Sequence, residues 1–322
     1  MQRTKDLKKT GFFLPVLWIP KGQAGASPRI TFTKMAADPQ GSMQTAPLKN
    51  EVILITGSTD GIGRQAALEL ARTGATVLLH ARNAERGQAV IDEIQKASRN
   101  ENLQLFTADF ASLSQVRQMA NELLQKCGRL DILVNNAGVY MKHRRLTEDG
   151  FETTFAVNHL APFLLTNLLL DLLKKSSPAT IINVSSMAHQ GARYDPHNLQ
   201  GEKDFEPYDA YSRSKLANLL FTYELARRLA GSGVAVNALH PGVIATKMLR
   251  ASFGSFGGSS VEEGAARILH LINTPNPDKV SGKYFVNDKE QVSSPVSRDE
   301  KVQKEFWSLS EKMVGMKSGA SD

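Results

Sequence analysis

Cysteine is nearly missing from this chain, with Cys127 alone among 322 residues. One thiol forms no intrachain disulfide and supports no cysteine-based metal cluster. The composition fits a reducing compartment, although a disulfide-free lumenal protein would read the same way. The seven histidines and the carboxylates show no metal-ligand spacing, so no metal site is expected. Long hydrophobic runs are scarce too. The apolar segment Gly11–Pro20, G-F-F-L-P-V-L-W-I-P, is ten residues long and contains two prolines, against the roughly 20 residues a membrane-spanning helix needs. Nor is positive charge spread over the body. Six of the net +7 charges fall in residues 1–34, where seven basic side chains face Asp6 alone. The basic stripe that a nucleic-acid-binding surface requires is therefore not present.

What is present suffices for a large folded unit. A 41% hydrophobic content supports a real core, and the length admits one large α/β domain or two small ones. Residues 1–47 read as an N-terminal extension and linker. The basic flank, the short apolar run and the following A-G-A-S suit a cleaved targeting signal, but equally a disordered tail or an alternative start upstream of Met35. A cytoplasmic location is expected. The alternative is association with the endoplasmic reticulum membrane, or a mitochondrial address, through this extension.

Val52–Ile55 is an unbroken apolar run, as a strand covered on both faces of a parallel sheet would be. Immediately after it, T-G-S-T-D-G-I-G places Gly57, Gly61 and Gly63 where a strand-to-helix turn needs residues without a Cβ. Backbone N–H groups can then approach a pyrophosphate at the N-terminus of a helix starting near Ile62. Taken alone, the pattern also describes an ordinary tight turn. Further β-prone runs follow at Thr76–His80, Leu103–Thr107, Ile132–Val134, Thr180–Val184 and Val234–Leu239. Helical stretches separate them near 61–73, 84–98, 114–127, 159–174 and 208–230. Such alternation predicts an α/β fold, a single doubly wound parallel sheet of Rossmann type with helices on both faces, over residues 48–315, with 316–322 as a tail. Ligands of such sheets bind beyond the carboxyl ends of the strands. The second strand ends in H-A-R-N, without an acid for a ribose 2′-hydroxyl but with Arg82, whose guanidinium suits a 2′-phosphate. NADP is therefore expected in preference to NAD. The plainer reading pairs Arg82 with Glu85.

Seven ordered marks follow family spacing: T-G-S-T-D-G-I-G at Thr56–Gly63, D-F at Asp109 and Phe110, N-N-A-G at Asn135–Gly138, V-N-H at Val157–His159, N-V-S-S at Asn183–Ser186, Y-S-R-S-K at Tyr211–Lys215, and H-P-G-V-I-A-T at His240–Thr246. By these marks the chain resembles the short-chain dehydrogenase/reductase family, in its single-domain form, and within it the retinol dehydrogenase-like group. The resemblance implies an oxidoreductase with a catalytic set of Ser186, Tyr211, Lys215 and Asn158, the last holding a water between the lysine and solvent. It also implies a cofactor site made by Gly57, Ser58, Asp60, Gly61, Ile62, Gly63, Asp109, Phe110, Asn136, Ala137, Gly138, Tyr211, Lys215, Pro241, Gly242 and Thr246, together with Arg82. Within it Asp109 accepts from the adenine amino group and Thr246 faces the carboxamide. Asp109 also suits the start of a helix, and Pro241, Gly242 and Thr246 suit a turn at the sheet end.

Residue chemistry points the same way. Tyr211 and Lys215 lie four apart, on one face of a helix whose other side carries Leu216, Leu219, Leu220 and Tyr223. A phenol with a pKa near 10 exchanges protons poorly at neutral pH, and a neighbouring ammonium is expected to lower it. Ser186 can donate to a carbonyl oxygen as negative charge builds there. A Tyr–Lys pair by itself is more often a solvated surface pair; Ser186 and the glycine loop reverse that reading.

The substrate end has its own signals. The 24 residues between Ser186 and Tyr211 include G-A-R-Y-D-P-H-N-L-Q-G-E-K, an insert expected to fold over the pocket mouth as in relatives that handle retinoids and lipid aldehydes. Lys247–Ser260, rich in Gly and Phe, is expected to be a mobile apolar lid. His189 reads as a loop or substrate-wall residue rather than a base. Phe306, Trp307, Leu309 and Met313 suit a packing helix or a peripheral membrane contact. Leu160–Leu173 suits core or half of a homodimer seam. The expected substrate is a small apolar aldehyde or ketone, or its alcohol, reduced with NADPH, with no nucleic-acid partner. The competing expectation is a cofactor-binding regulatory or scaffold protein.

Overall fold

A computed structural model describes residues 48–253, 257–274 and 280–316. The extension 1–47 and the tail 317–322 lie outside the described residues. Its frame is an eight-stranded sheet in the order β3-β2-β1-β4-β5-β6-β7-β8. The strands are β1 Val52–Ile55, β2 Thr76–Ala81, β3 Leu103–Thr107, β4 Ile132–Asn135, β5 Ala179–Val184, β6 Val234–His240, β7 Lys283–Val286 and β8 Lys289–Glu290. All neighbours pair in parallel except β7 with β8. Strand order reverses at β1, so its carboxyl end and that of β4 open the crevice where such sheets take ligands.

β1 shows why its sequence is apolar without alternation. Ile53 and Ile55 point into a core shared with α1 (Gly61–Arg72), α2 (Ala84–Ser98) and α8 (Val261–Ile272). Leu54 points the other way, into a core with α3 (Leu113–Lys126), α5 (Ala161–Lys175) and α6 (Pro207–Arg228). Two covered faces need apolar side chains at both phases of the pleat. Helix starts are fixed by side-chain caps: Asp60 for α1, Asn83 for α2, Ser112 for α3, Ser260 for α8, and Asp299 for α9 (Glu300–Met313).

α4 (Thr153–Phe155), a π turn over Ala156–Leu160 and α5 run together as 23 residues, long and apolar enough to cross a bilayer by length and composition. In this fold 78% of its apolar window is buried inside the protein, which makes it a core helix. Asn167 bonds back to the Phe163 carbonyl and Asp171 is exposed, so the two polar interruptions fall at the helix edge. The apolar stripe of α9 is likewise spent internally. Phe306 and Trp307 are buried, Trp307 donates to Glu311, and the Arg228 guanidinium lies 4.2 Å from the Trp307 ring centre.

Two expectations change. Beyond the last predicted strand the structure adds β7, β8 and α8. The Ser260–Glu263 capping signature ahead of α8 was there to be read. The lid begins as a helix, α7 (Lys247–Phe253), because the Thr246 hydroxyl accepts from Leu249 N–H at 3.2 Å and starts a turn. Residues 254–256 of the glycine-rich stretch lie outside the described residues.

His159, in the π turn, is fully buried among Phe155, Phe163, Phe221 and Phe306. Its Nε2 lies 2.8 Å from the Ser310 hydroxyl, whose own proton goes to the Phe306 carbonyl, so the ring is the donor and clamps the π turn to α9. Burial pushes its pKa down to about 3 from 6.5. As pH falls from 6.5 towards 3, the unfolded chain takes up a proton that the folded ring refuses. The stability present above 6.5 is lost through that window, at up to about 1.4 kcal/mol per pH unit for one group. The urea midpoint should therefore fall between pH 6.5 and 4, and His159→Gln should make that fall shallower; an unchanged slope would locate the acid sensitivity elsewhere.

Candidate active site

The glycine loop is shaped mainly by what packs against it. Gly57 has a φ of +66°, and a Cβ there would stand 2.8 Å from the Ala137 Cα. A Cβ at Gly63 would collide with the Gly57 carbonyl and the Asn136 amide. Gly61, at φ +52°, faces Thr246, whose Cγ2 would lie 3.2 Å from an added Cβ. Two of the three glycines thus bring the loop onto the N-N-A-G turn, and Gly61 keeps the floor of a cradle open towards Thr246. Thr56 completes the joint: its hydroxyl accepts from the N–H groups of Asn136 and Ala137, while the Asn136 amide donates to the Thr56 and Gly57 carbonyls.

A residue that sequence reasoning passed over holds the loop from the other side. His80, next to last in β2, is buried and accepts from Gly57 N–H through Nδ1 at 3.0 Å. Its Nε2 lies 3.0 Å from the Ala108 carbonyl, and its ring stacks on Phe110 at 4.1 Å. A backbone N–H only donates and a carbonyl only accepts, so the proton resides on Nε2. Burial lowers the pKa to about 4, which keeps the ring neutral. Ser58, predicted at the cofactor, is fully buried beneath the loop, donates to the His80 carbonyl and accepts its N–H. The available signal was a histidine inside an otherwise apolar strand run.

On the opposite wall, α6 places Lys215 with its Nζ 3.0 Å from the Val184 carbonyl. Burial lowers its pKa to about 8. The Tyr211 ring centre is 5.5 Å from that ammonium, and the Ser186 hydroxyl is the hydrogen-bonding neighbour of the phenol. Burial outweighs the serine bond and raises the phenol to about 12. The expected depression of Tyr211 by Lys215 is thus not met, because the lysine aims at the end of β5 rather than at the phenolic oxygen. Ser186 accepts from Ala188 N–H at 3.2 Å, which leaves its own proton to donate outward. Asn158 sits on the π turn. Its carbonyl accepts from Val139 N–H at 2.7 Å, and its amide donates to the Val139 carbonyl and the Ser214 hydroxyl.

Between these walls runs a cleft of about 510 Å³. It is lined by Gly57, Asp60, Gly61, Ile62, Gly63, Arg82, Asp109, Phe110, Asn136, Ala137, Gly138, Tyr211, Lys215, Pro241 and Thr246, all from the predicted set. Ser58, Asn158, Ser186 and Gly242 stand outside the lining: Ser58 beneath the loop, Asn158 behind Val139, Ser186 beside the phenol, and Gly242 in a turn at φ +101°. Asp109 accepts from Ala111 N–H, while Ser112 rather than Asp109 caps α3. Two unanticipated basic residues also line the cleft. Arg86 and Lys247 both reach Asp60 Oδ2, at 2.8 and 2.9 Å. Burial raises the Asp60 carboxyl, but bonds from Lys247, the Gly61 N–H and Arg86 together hold it below its ordinary value. Tyr140 stands 5.7 Å from Tyr211 ring to ring, and Tyr208 is near enough to raise both phenols, but neither Tyr140 nor Tyr208 is part of the cleft lining. The insert after Ser186 does not cover this cleft. Tyr194 packs on Phe306 and Gln200 bonds with Arg144 and Glu152, so the insert is drawn towards α9 and the β4–α4 loop. A larger groove of about 1000 Å³ lies elsewhere, between the end of α6 and β7, and shares no residue with the cleft.

The sheet order and the glycine-lined crevice define a dinucleotide-binding α/β protein. The chain belongs to the short chain dehydrogenase family, whose pattern matches residues 51–254. It is 41% identical to human retinol dehydrogenase 13 over 288 residues, covering 85% of this chain and 87% of that one. It is 40% identical to bovine retinol dehydrogenase 12, over 84% and 88%. Among solved structures it resembles a short chain dehydrogenase from Escherichia coli CFT073 complexed with NADPH, at a TM-score of 0.62 and 28% identity over 74% of this chain and 97% of that one. The protein is an NAD(P)-dependent alcohol/carbonyl oxidoreductase of the retinol dehydrogenase-like group.

The His80 bridge predicts a cost. His80→Ala should lower the unfolding free energy by about 2–4 kcal/mol in chemical denaturation, from a cavity plus an unpaired Gly57 N–H. A loss under about 1 kcal/mol would mean that the loop holds its shape unaided.

Proposed function

We propose that this enzyme prefers NADP(H) and reduces apolar aldehydes or ketones, with the reverse oxidation using the same groups. The observation that carries the reading is the pair Tyr211 and Lys215 in the wall of a glycine-lined cleft, with Ser186 just outside the lining and hydrogen-bonded to the phenol. The cradle at Gly61, which a side chain would fill, together with the basic rim of Arg82, Arg86 and Lys247, suits a dinucleotide phosphate. When bound there, NADPH supplies the hydride.

The chain's own groups do the rest. A phenol held at about 12 is protonated at neutral pH, so Tyr211 is an acid ready to give its proton to the carbonyl oxygen. Ser186, whose oxygen already accepts from Ala188, directs its proton to the same oxygen and stabilises the charge that gathers there. Lys215, at about 8, is mostly cationic at neutral pH; anchored on the Val184 carbonyl at the cleft wall, it would hold the nicotinamide ribose. Asn158 acts from behind. Both ends of its amide are engaged, and a side chain at Gly138 would lie 3.4 Å from Asn158 Oδ1 and 3.7 Å from Lys215 Nζ, so Asn158 keeps that turn against the lysine.

NADP preference rests on Arg82, which lines the cleft, is exposed, and makes no ion pair with Glu85 among the described residues. Val139, Met141, Val157 and Met248 in the lining favour an apolar substrate of the retinal or lipid-aldehyde kind; the relatives' names, retinol dehydrogenase, agree with the first of these. We place the enzyme in the cytoplasm, with residues 1–47 as the segment that would carry it instead to the endoplasmic reticulum membrane or mitochondria. Self-association would use the partly exposed edge of α5 near Asn167 and Asp171.

Two measurements test this reading. With a panel of aldehydes and ketones followed by NADPH absorbance, Tyr211→Phe should lower kcat by at least about a hundredfold at unchanged NADPH affinity. Equal turnover would remove the phenol from the mechanism, and cofactor binding without turnover in the native protein would favour a regulatory role. In fluorescence titrations Arg82→Asp should lower the NADPH/NADH affinity ratio by about 10–100-fold, the worth of one charge-assisted bond. An unchanged ratio would shift the preference to Arg86.

A further inference from the structure

His189 ends the motif S-S-M-A-H and is fully buried, outside the lining of the cleft. Its Nδ1 lies 2.6 Å from the carbonyl oxygen of Ser186, and its Nε2 lies 3.2 Å from the backbone N–H of Ser294. A carbonyl only accepts and a backbone N–H only donates, so the ring must carry its proton on Nδ1 and present a bare Nε2. The ring also meets Tyr284 edge-on at 5.1 Å. Burial lowers its pKa, in keeping with a neutral bridge.

Both ends of the bridge are anchored. Ser294 belongs to a turn that the rest of the chain braces. The Tyr223 hydroxyl reaches Ser293, the Ser293 and Ser297 hydroxyls meet at 2.7 Å, Arg298 donates to the Ser293 carbonyl, and Gln303 of α9 donates to the Ser297 carbonyl. At the other end, the hydroxyl of Ser185 donates to the Lys215 carbonyl on α6 at 2.8 Å. The peptide of Ser186 is thus tied on one side to the helix that carries Tyr211 and Lys215, and on the other through His189 to residues beyond the matched family region, which ends at 254.

We propose that His189 is a positioning residue: by donating to the Ser186 carbonyl and accepting from Ser294 N–H, it holds the Ser186 hydroxyl in register with the Tyr211 phenol and makes the 293–297 turn part of the active-site support. The inference rests on the role given above to Ser186. The two bonds have separable mimics. In His189→Asn the amide nitrogen takes the place of Nδ1 and keeps the bond to Ser186, whereas His189→Gln keeps only an acceptor for Ser294. His189→Phe keeps the ring and loses both.

Nitrogen-15 NMR of the native protein at pH 7 should show His189 protonated on Nδ1 and bare on Nε2; the opposite tautomer would overturn the bridge without any variant. In steady-state kinetics His189→Phe should lower kcat at least about tenfold, since a displaced catalytic group loses rate steeply with distance. Carbonyl KM and NADPH affinity by fluorescence should stay within about twofold, because cleft and cofactor walls are untouched. His189→Asn should recover most of kcat and His189→Gln should not. Equal kcat in all three variants, or a loss carried by KM, would overturn the proposal. Ser186→Ala separates the two layers: unchanged kcat there would remove the serine's own role, whereas a large loss there with none in His189→Phe would remove the positioning role alone.

Discussion

Three parallel strands must end at one level for this cleft to exist, and a single neutral imidazole fixes that level. His80 accepts from the loop after β1, belongs to β2, and donates to the segment after β3. The glycine loop is then fixed from two sides, by His80 on one and by the N-N-A-G turn after β4 on the other. Glycine is needed where those contacts leave no room for a Cβ, at Gly57 and Gly63. The cradle at Gly61 is what is left once both clamps are set.

The same device recurs at the other two joints of the molecule. His159 ties the π turn beneath Asn158 to α9, and His189 ties the Ser186 peptide to the 293–297 turn. In each case burial depresses the imidazole pKa, so the ring enters as a neutral group with a donor on one side. His80 and His189 use both ring nitrogens, whereas Nδ1 of His159 has no hydrogen-bond partner among the described residues. A neutral ring can bridge two backbone groups of opposite polarity without the desolvation cost of a buried charge. By contrast, the ions at the rim, Asp60 with Arg86 and Lys247, are partly exposed and contribute little to stability. Their position over the crevice matters more than their strength.

The groups proposed to react are correspondingly divided. Tyr211 and Lys215 come from one buried helix, where a spacing of four suffices to align them. Ser186 comes from the end of β5, where no local rule sets its direction, and its alignment depends on contacts with α6 and with the C-terminal turn. Burial raises the Tyr211 phenol to about 12 and so keeps it protonated at neutral pH.

Read as a sequence, the chain shows its sheet, its glycine loop and its Tyr–Lys pair, because periodicity and fixed spacing are local properties. β1 to β6 fall within a residue or two of the predicted runs. The spacing of Tyr211 and Lys215 makes them neighbours but does not say where the ammonium points, which is to the Val184 carbonyl, so the expected lowering of the phenol does not follow from it. The insert after Ser186 was misplaced because its anchor, Phe306 on α9, is distant in sequence. Arg86 carries no local mark of the site for the same reason, while His80 shows only as a histidine inside an apolar strand run and Lys247 only as the start of the expected lid. Each gains its role from a partner on another element, and only the closing of the sheet and its helices brings those partners within bonding distance.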